Sequence, residues 1–521
     1  MIPNQGFYTL WVLSVGVVVA LMLEFVLKQV RSRSVDRACH AMDVTLSGWF
    51  FQRMMGVRME SRPASVGSLA SQIKGFELVR GILASTSLFV LTDVPFALFF
   101  IGVIALVGGW LALIPLLLVP CAVSAGVLFQ RAIQRHTRLN LNASHRKTGL
   151  LVESVDGAES LKAQGAEWTL LRRWMNLADE AGEADQHIRG LNAWSQNITV
   201  ALQQLAYVGL VAAGAWLVAH NELTMGGLLA CTIISNRAMM PIVQLPGVMV
   251  QWAHARAALE GLDQVIRLPN EADDVVHALQ PQRVEGSLRF DRVRFAYGVS
   301  PRPALELQGL AIKPGERVGV LGAIGSGKST LLKMASGLYR PAEGRVFIGG
   351  LDQSLLSSAV VRSVVGYLPQ DARLVSGTLR DNLLQGLPDP GDEVILSAAQ
   401  RTGLIELINA QPRGLSLPIT EGGRGVSGGQ KQLIMLTRLL LARPAIWLMD
   451  EPTGAMDSMT EAKVVQLLSD VAKDGATVVA ATHKTALLPL FDRLIILQNG
   501  RVLADGPRDV ILAKMQGKAQ V

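Results

Sequence analysis

The chain has 521 residues, of which 50% are hydrophobic and 17% charged, and its mean hydropathy is +0.33. Soluble globular chains carry about 25% charged residues, so this one is not wholly soluble, and its apolar content excludes disordered, collagen-like and low-complexity classes. A formal net charge of +7 is too mild to imply a nucleic-acid partner, and at about 150 residues per domain the length allows three or four domains.

Charge is unevenly spread along the chain. Residues 1–250 hold 19 Lys/Arg and 15 Asp/Glu, while residues 251–521 hold 30 and 27. The first half is therefore the membrane candidate, where each crossing needs about 20 consecutive apolar residues. Five runs qualify, at 8–27, 88–107, 110–129, 198–219 and 225–250. The first has Glu24 as its only charge, with no basic segment before it and no small-residue cleavage site after it, which argues against a secretory signal peptide. Lys and Arg resist translocation; residues 28–82 contain nine, residues 131–195 contain nine, and residues 1–7, 108–109 and 220–224 contain none. This bias sets the N-terminus outside, both long loops in the cytoplasm, and the chain beyond the fifth run in the cytoplasm as well.

Within those loops, the mixed-charge stretches 57–69 and 153–167 read as helical extensions. Polar residues inside the runs, namely Asp93, Gln203, Gln204 and Arg237, read as partners in helix kinks or seams rather than as substrate ligands. Cys39, Cys121 and Cys231 are far apart, match no disulfide or metal pattern, and read as buried small hydrophobes. Residues 1–265 are then a transmembrane domain, 266–285 a polar linker with two prolines, and 286–521 a separate domain.

That last domain opens with alternating LRFDRVRFAYG, then strand-like ERVGVL, a glycine-rich turn and a helical STLLKMASGLY. The turn, Gly322, Ala323, Ile324, Gly325, Ser326, Gly327, Lys328 and Ser329, matches GxxxxGK[ST] in the strand–loop–helix setting that such a motif requires. Backbone N–H groups there converge on phosphate at a helix N-terminus, Lys328 reaches the β/γ-phosphates and the Ser329 hydroxyl ligates Mg²⁺. Thr330 is counted with the same nucleotide site. A second apolar strand, 445–449, ends in Asp450 and Glu451. Open α/β sheets bind ligands at strand carboxyl ends, so Asp450 is placed to hold Mg²⁺ through water and Glu451 to polarise the water that attacks the γ-phosphate. Ser427, Gly428, Gly429 and Gln430 head a helical run and suit either an anion site or an ordinary N-cap.

Lys328, Gln370, the VSGGQ at 426–430, Asp450-Glu451 and His483, in that order, make residues 286–521 resemble the nucleotide-binding domain of ATP-binding-cassette proteins. The resemblance implies an α-helical transmembrane bundle followed by an α/β P-loop ATPase, with ATP and Mg²⁺ as cofactors. It also implies that Tyr297 stacks on adenine, Gln370 senses Mg²⁺ and the attacking water, His483 contacts the γ-phosphate, and Asp457 is the acid of the D-loop. Two such domains would face each other, each ATP lying between the P-loop of one and the Ser427–Gln430 turn of the other, so a homodimer or a related second half is expected. Val426 stands where the family usually has leucine and Gly454 where it has serine or alanine; neither change removes a catalytic group.

More narrowly, PNQGFYTLWVL at the start, Asp93-Val94-Pro95-Phe96, and NRAMMPIVQLPG at 236–247 resemble type I secretion exporters, particularly those moving large RTX adhesins. That likeness implies a bacterial inner-membrane protein, an unfolded polypeptide cargo, a periplasmic membrane-fusion adaptor and an outer-membrane channel. The stretches around Val66 and Gly157 fit the helices that couple such membrane domains to their ATPase. The family has six spans per half against five here, the unmatched one being the first, and residues 1–7 resemble the periplasmic loop that follows it. With no peptidase-like domain ahead of the first run, cargo cleavage is not expected. A lipid or drug exporter uses the same motor, and an ATPase remnant without transport is the third reading.

Overall fold

The computed structural model describes residues 7–63, 66–88, 94–271, 273, 278–298 and 302–517. It forms two compact units, Met1–Met55 with Pro63–Leu268 and Gly56–Arg62 with Pro269–Val521.

The first unit is helical: α1 (Phe7–Met55), α2 (Val66–Leu88), α3 (Val94–Gly108), α4 (Leu113–Asp156), the short α5 (Ala158–Ala163), α6 (Glu167–Ala219) and α7 (Met225–Ile266). Among the described residues, four helical stretches are long and apolar enough to cross a membrane: Trp11–Met55, Pro95–Asp156, Glu167–Ala219 and Met225–Ile266. The second of these holds two apolar runs, separated by a 3-10 turn at Gly109–Ala112 whose Gly109 has φ +54°. α4 packs along α6, and α2, α3, α4 and α6 all pack on α7. Glycines permit the close crossings: a Cβ on Gly214 would lie 2.2 Å from a Leu228 methyl, and one on Gly126 2.8 Å from the Met249 sulfur. Beyond the apolar runs the helices continue as charged extensions, joined by Arg138–Glu260 at 2.8 Å and Arg146–Glu180 at 2.5 Å.

The first part of the 57–69 stretch, residues 57–63, departs from the helical extension expected of it, while 66–69 begin α2. Helix α1 stops at Met55, Val57 forms an antiparallel bridge with Asn270, and Glu271 N–H donates to Gly56 O at 2.8 Å. Only glycine allows this approach, because a Cβ on residue 56 would sit 2.5 Å from the Asn270 side-chain oxygen. That backbone pairing is why Gly56–Arg62 belongs to the second unit. Near residue 157 the chain does turn as a helix pair, with Gly157 N–H closing α4 onto Glu153 O before α5 begins. Of the cysteines, Cys231 is buried as expected, whereas Cys121 is exposed and Cys39 half-buried, contrary to the expectation for those two. Arg237 and Gln204 are exposed and Gln203 is half-buried; Asp93 lies outside the described residues.

The second unit begins with β1 (Leu288–Phe295), β2 (Leu305–Ile312) and β3 (Arg317–Leu321), then α8 (Lys328–Ala335), β4 (Glu343–Ile348), β5 (Leu351–Asp352), α9 (Ser358–Val364) and β6 (Val365–Leu368). A mainly helical stretch follows: β7 (Gly377–Thr378), α10 (Leu379–Leu383), α11 (Asp392–Thr402), α12 (Ile405–Ala410), β8 (Pro418–Ile419) and α13 (Gly428–Ala442). The chain closes with β9 (Ile446–Asp450), α14 (Ser458–Lys473), β10 (Thr477–Ala481), β11 (Arg493–Gln498), β12 (Arg501–Pro507) and α15 (Arg508–Gly517).

β2-β1-β4-β5 form an antiparallel sheet, and the larger sheet runs β12-β11-β3-β10-β9-β6, parallel except for β12. β9 is buried along its whole length, as its uninterrupted apolar run requires of a strand covered on both faces. Its side chains alternate between two cores. Ile446 and Leu448 join Phe290, Val318 and Leu331 on one face, while Trp447 and Met449 join Leu436, Leu467 and Phe491 on the other.

Candidate functional site

Strand register assembles the site. Ala481 of β10 lies beside Asp450 of β9 and beside Val320 of β3, and Leu368 of β6 lies beside Met449 of β9. The segments leaving the carboxyl ends of these four strands, with residues 322–329, 370, 451 and 483, therefore emerge along one edge of the sheet, the usual place for ligand in an open α/β fold.

The P-loop geometry demands its glycines. Gly322, Gly325 and Gly327 have φ of +154°, +78° and +102°; a Cβ on Gly322 would lie 2.3 Å from Leu497 O, and one on Gly327 2.7 Å from Ala304 O. Gly327 caps α8. The Lys328 ammonium is folded into the loop, donating to Gly322 O at 2.8 Å and Ala323 O at 3.1 Å. Ile324 at the tip is fully exposed, and the buried Ser326 hydroxyl has no hydrogen-bond partner among the described residues.

Asp450 is 2% exposed. Burial pushes its carboxyl above the usual carboxylate range, against a hydrogen bond from Ser329; the Glu451 charge pushes it up further, and Lys333 and Lys328 pull it down. A buried carboxylate bonded to a hydroxyl is a donor set that suits a hard divalent cation, with phosphate oxygens and water completing the shell. Asp450, Ser329 and the Gln370 side chain are the groups that would hold it. If the charge of Asp450 is tolerated for the cation rather than for the fold, Asp450→Asn raises the thermal unfolding midpoint in the absence of nucleotide. The same substitution lowers divalent-dependent ATP turnover by at least about 10²-fold. Scanning calorimetry showing a lower midpoint would instead make Asp450 a structural acid.

Glu451 adopts φ +52°, a left-handed conformation unusual for a residue with a side chain. Its N–H donates to Ala481 O at 2.9 Å and its carbonyl accepts from Gly454 N–H at 3.1 Å. On the carboxylate, Oε2 accepts from Gln370 Nε2 at 3.2 Å and Oε1 meets His483 Nδ1 at 3.1 Å. Gln370, Glu451 and His483 are thus one hydrogen-bonded group at the mouth of the P-loop edge. A Cβ on Gly454 would make only ordinary contacts with Glu451, so the glycine there is not sterically required.

The Ser427–Gln430 turn forms a second group. The Ser427 hydroxyl accepts from Gln430 N–H at 3.3 Å and Gln430 Oε1 accepts from Ser427 N–H at 3.0 Å, a reciprocal cap on α13. Gly428 and Gly429 pack on Ala455; a Cβ on Gly429 would lie 2.7 Å from the Ala455 carbonyl. Ser427, Gly429 and Gln430 line a shallow cavity with Ala455, Met456 and Asp457. Asp457 spends its carboxylate on capping α14, accepting from Met459 N–H at 3.0 Å and Thr460 N–H at 2.9 Å. These bonds, Thr460's foremost, hold it below the usual carboxylate range.

Tyr297 stands beside the first turn of the P-loop helix, half exposed, its ring edge-on to Phe295 and Tyr339. Its hydroxyl is 3.2 Å from the Thr330 hydroxyl, so the aromatic residue and the P-loop helix are directly joined.

One residue of the site escapes motif reading. Gln432 on α13 is 4% exposed, donates to Glu451 O at 3.2 Å and accepts from Ala455 N–H at 3.4 Å. The available signal was positional: Gln432, Leu436 and Leu439 fall at i, i+4 and i+7 on the buried face of α13, where a glutamine needs partners.

With this geometry in hand, comparison with known proteins is direct. A family model described as the ABC transporter transmembrane region matches residues 1–242, and one described as ABC transporter matches residues 306–454. The cyclolysin secretion/processing ATP-binding protein CyaB of Bordetella pertussis is 27% identical over 515 residues, covering 98% of this chain and 72% of the relative. The alpha-hemolysin translocation ATP-binding protein HlyB of Escherichia coli is 26% identical over 518 residues, covering 99% and 72%. A bacterial Atm1-family ABC exporter solved with ATP bound superimposes with a TM-score of 0.82 over 93% of this chain and 86% of that one; at 22% identity the likeness is one of fold. With its helical half and its nucleotide-binding half each matching an ABC model, in exporter order, the chain belongs to the ABC transporters, as an exporter whose transmembrane region precedes an α/β domain that hydrolyses ATP to drive transport.

Proposed function

We propose that this exporter moves an unfolded polypeptide out of the cytoplasm by type I secretion. The observation that carries the reading is that relatives named for toxin secretion and translocation align along 98% and 99% of this chain, membrane half included. The protein then sits in a bacterial inner membrane as a homodimer and works with a periplasmic adaptor and an outer-membrane channel. The zero Lys/Arg content of residues 220–224, against nine in 131–195, supports an outside position for the former and a cytoplasmic one for the latter.

In the ATPase, phosphates lie over the P-loop N–H groups at the start of α8, and Lys328 leaves Gly322 O and Ala323 O to meet them. Tyr297 takes the adenine face. Asp450, Ser329 and Gln370 would hold a Mg²⁺ ion, which would neutralise phosphate charge when bound. Glu451 polarises the attacking water, its two carboxylate oxygens fixed by Gln370 and His483. The second copy presents its Ser427–Gln430 turn to the γ-phosphate, so ATP closes two chains on each other and hydrolysis releases them.

The test is a strain lacking this chain, complemented with the wild type or with a turnover-deficient variant, with culture-medium proteins identified by mass spectrometry. Loss of one or more large polypeptides from the medium, restored only by the wild type, is expected. An unchanged set of secreted proteins, together with ATPase activity of the purified protein stimulated by lipid or an amphipathic drug, would overturn the reading in favour of small-molecule export.

A further inference from the structure

We propose that Gln432 is a positioning residue that couples the Ser427–Gln430 turn to the catalytic carboxylate of the same chain. The proposal rests on the reading of Glu451 as the group that polarises the attacking water. Glu451 occupies a strained backbone state at φ +52°, and such a conformation persists only where its surroundings over-determine it. Gln432 supplies part of that determination. Its single carboxamide spans the turn after β9, with Nε2 donating to Glu451 O at 3.2 Å and Oε1 accepting from Ala455 N–H at 3.4 Å. No other uncharged side chain of that length offers a donor and an acceptor in one plane.

The same turn touches the start of α13. The Ala455 carbonyl lies 2.7 Å from where a Cβ on Gly429 would be, and Gln432 follows Gln430 by two residues in one continuous helix. A displacement of the Ser427–Gln430 turn therefore carries Gln432 with it and shifts the backbone from which the Glu451 side chain projects. The arrangement links the residues expected to grip the ATP bound by one copy to the water-activating residue of the other ATP site. Each chain then reports the filling of one site to the chemistry of the second. Gln432 touches neither substrate nor the reacting atoms, so its effect belongs to turnover rather than to nucleotide affinity.

The experiment uses the full-length protein in lipid nanodiscs, with Gln432→Met, which removes both bonds at similar volume, and Gln432→Glu, which keeps the acceptor for Ala455 N–H but sets an oxygen against the Glu451 carbonyl. Both variants are expected to lower kcat by about tenfold or more, the loss of a hydrogen bond to a committed geometry. KM for ATP and binding of a fluorescent ATP analogue stay at wild-type values, while the thermal unfolding midpoint falls by a few degrees at most in Gln432→Met and by more in Gln432→Glu, which buries a charge. In a Glu451→Gln background, Gln432→Met lowers the residual rate no further. Wild-type kcat in both variants overturns the proposal, as does a joint fall of kcat, nucleotide affinity and thermal midpoint, which would mark a residue of the core only. Retained turnover in Glu451→Gln alone removes the reading beneath the proposal, and is distinguishable because it needs no change at residue 432.

Discussion

Glu451→Gln lowers ATP turnover by about 10²–10⁴-fold, the range that follows loss of a positioned general base, and leaves ATP affinity within about twofold of the wild type. The two halves of this expectation have separate causes. Glutamine keeps the length and one acceptor oxygen of the side chain. Gln370 can turn its amide to present Oε1 in place of Nε2, and His483 can use either tautomer, so the hydrogen bonds at 3.2 Å and 3.1 Å have replacements. The backbone bonds to Ala481 O and from Gly454 N–H do not involve the side chain. The P-loop and Asp450 are untouched. What disappears is the negative charge at the one carboxylate held between Gln370 and His483, and with it the capacity to draw a proton from the attacking water. Single-turnover phosphate release measured beside equilibrium nucleotide binding separates the two effects. Turnover within about threefold of wild type would transfer the role to another group, since such a change is far below the loss a missing base causes.

How much of this was legible in the sequence depends on how local each cause is. The P-loop and the β9 acids are written in consecutive residues: glycines at 322, 325 and 327 answer to positive φ, those at 322 and 327 also to carbonyls within 3 Å of a Cβ, and Asp450 and Glu451 follow directly on a strand whose apolar run is unmistakable. The membrane half was legible as apolar runs, because lipid selects composition directly. Less local facts were not. The bridge between Val57 and Asn270 joins residues 213 apart, and nothing in a mixed-charge stretch foretells it. Asp457 is a motif acid by position, yet its carboxylate caps α14, a use that any Asp before a helix can serve. Gln432 hides in a helix whose amphipathic pattern invites one to count leucines, and its role exists only because β9 and α13 are brought together by packing on Trp447 and its neighbours. The Tyr297–Thr330 contact is of the same kind: two residues 33 apart, joined through a hydroxyl pair that neither local pattern announces.

Lys328→Ala and Gly429→Val each abolish turnover in the homodimer, but mixing the two chains restores it, to at most about a quarter of the wild-type rate, because half the dimers formed at random are mixed and each holds one site of two with an unaltered P-loop and an unaltered turn; the coupling through Gln432 to Glu451 of the Gly429→Val chain lowers that ceiling. The two lesions act at different places. On the proposed reading Lys328 carries the charge that meets phosphate, and its removal then costs charge-assisted hydrogen bonds of about 1.5–3 kcal/mol each, so ATP affinity falls by at least about tenfold. Gly429→Val leaves the P-loop of its own chain unaltered. Its Cβ would lie 2.7 Å from the Ala455 carbonyl, a backbone atom that cannot swing aside, so the Ser427–Gln430 turn is pushed outward while nucleotide affinity at Lys328 persists. In a mixed dimer one site combines both lesions, and the other combines an intact P-loop with an intact turn. If instead each chain hydrolysed ATP with its own P-loop and its own turn, every site in the mixture would carry one lesion and no activity would return. Within one chain the turn packs on residues 455–457, while Lys328, Asp450 and Glu451 gather at the carboxyl ends of β3 and β9. A titration of one variant against the other at constant total protein should therefore trace a bell in the rate, highest at equal amounts, and a flat line would refute the shared site.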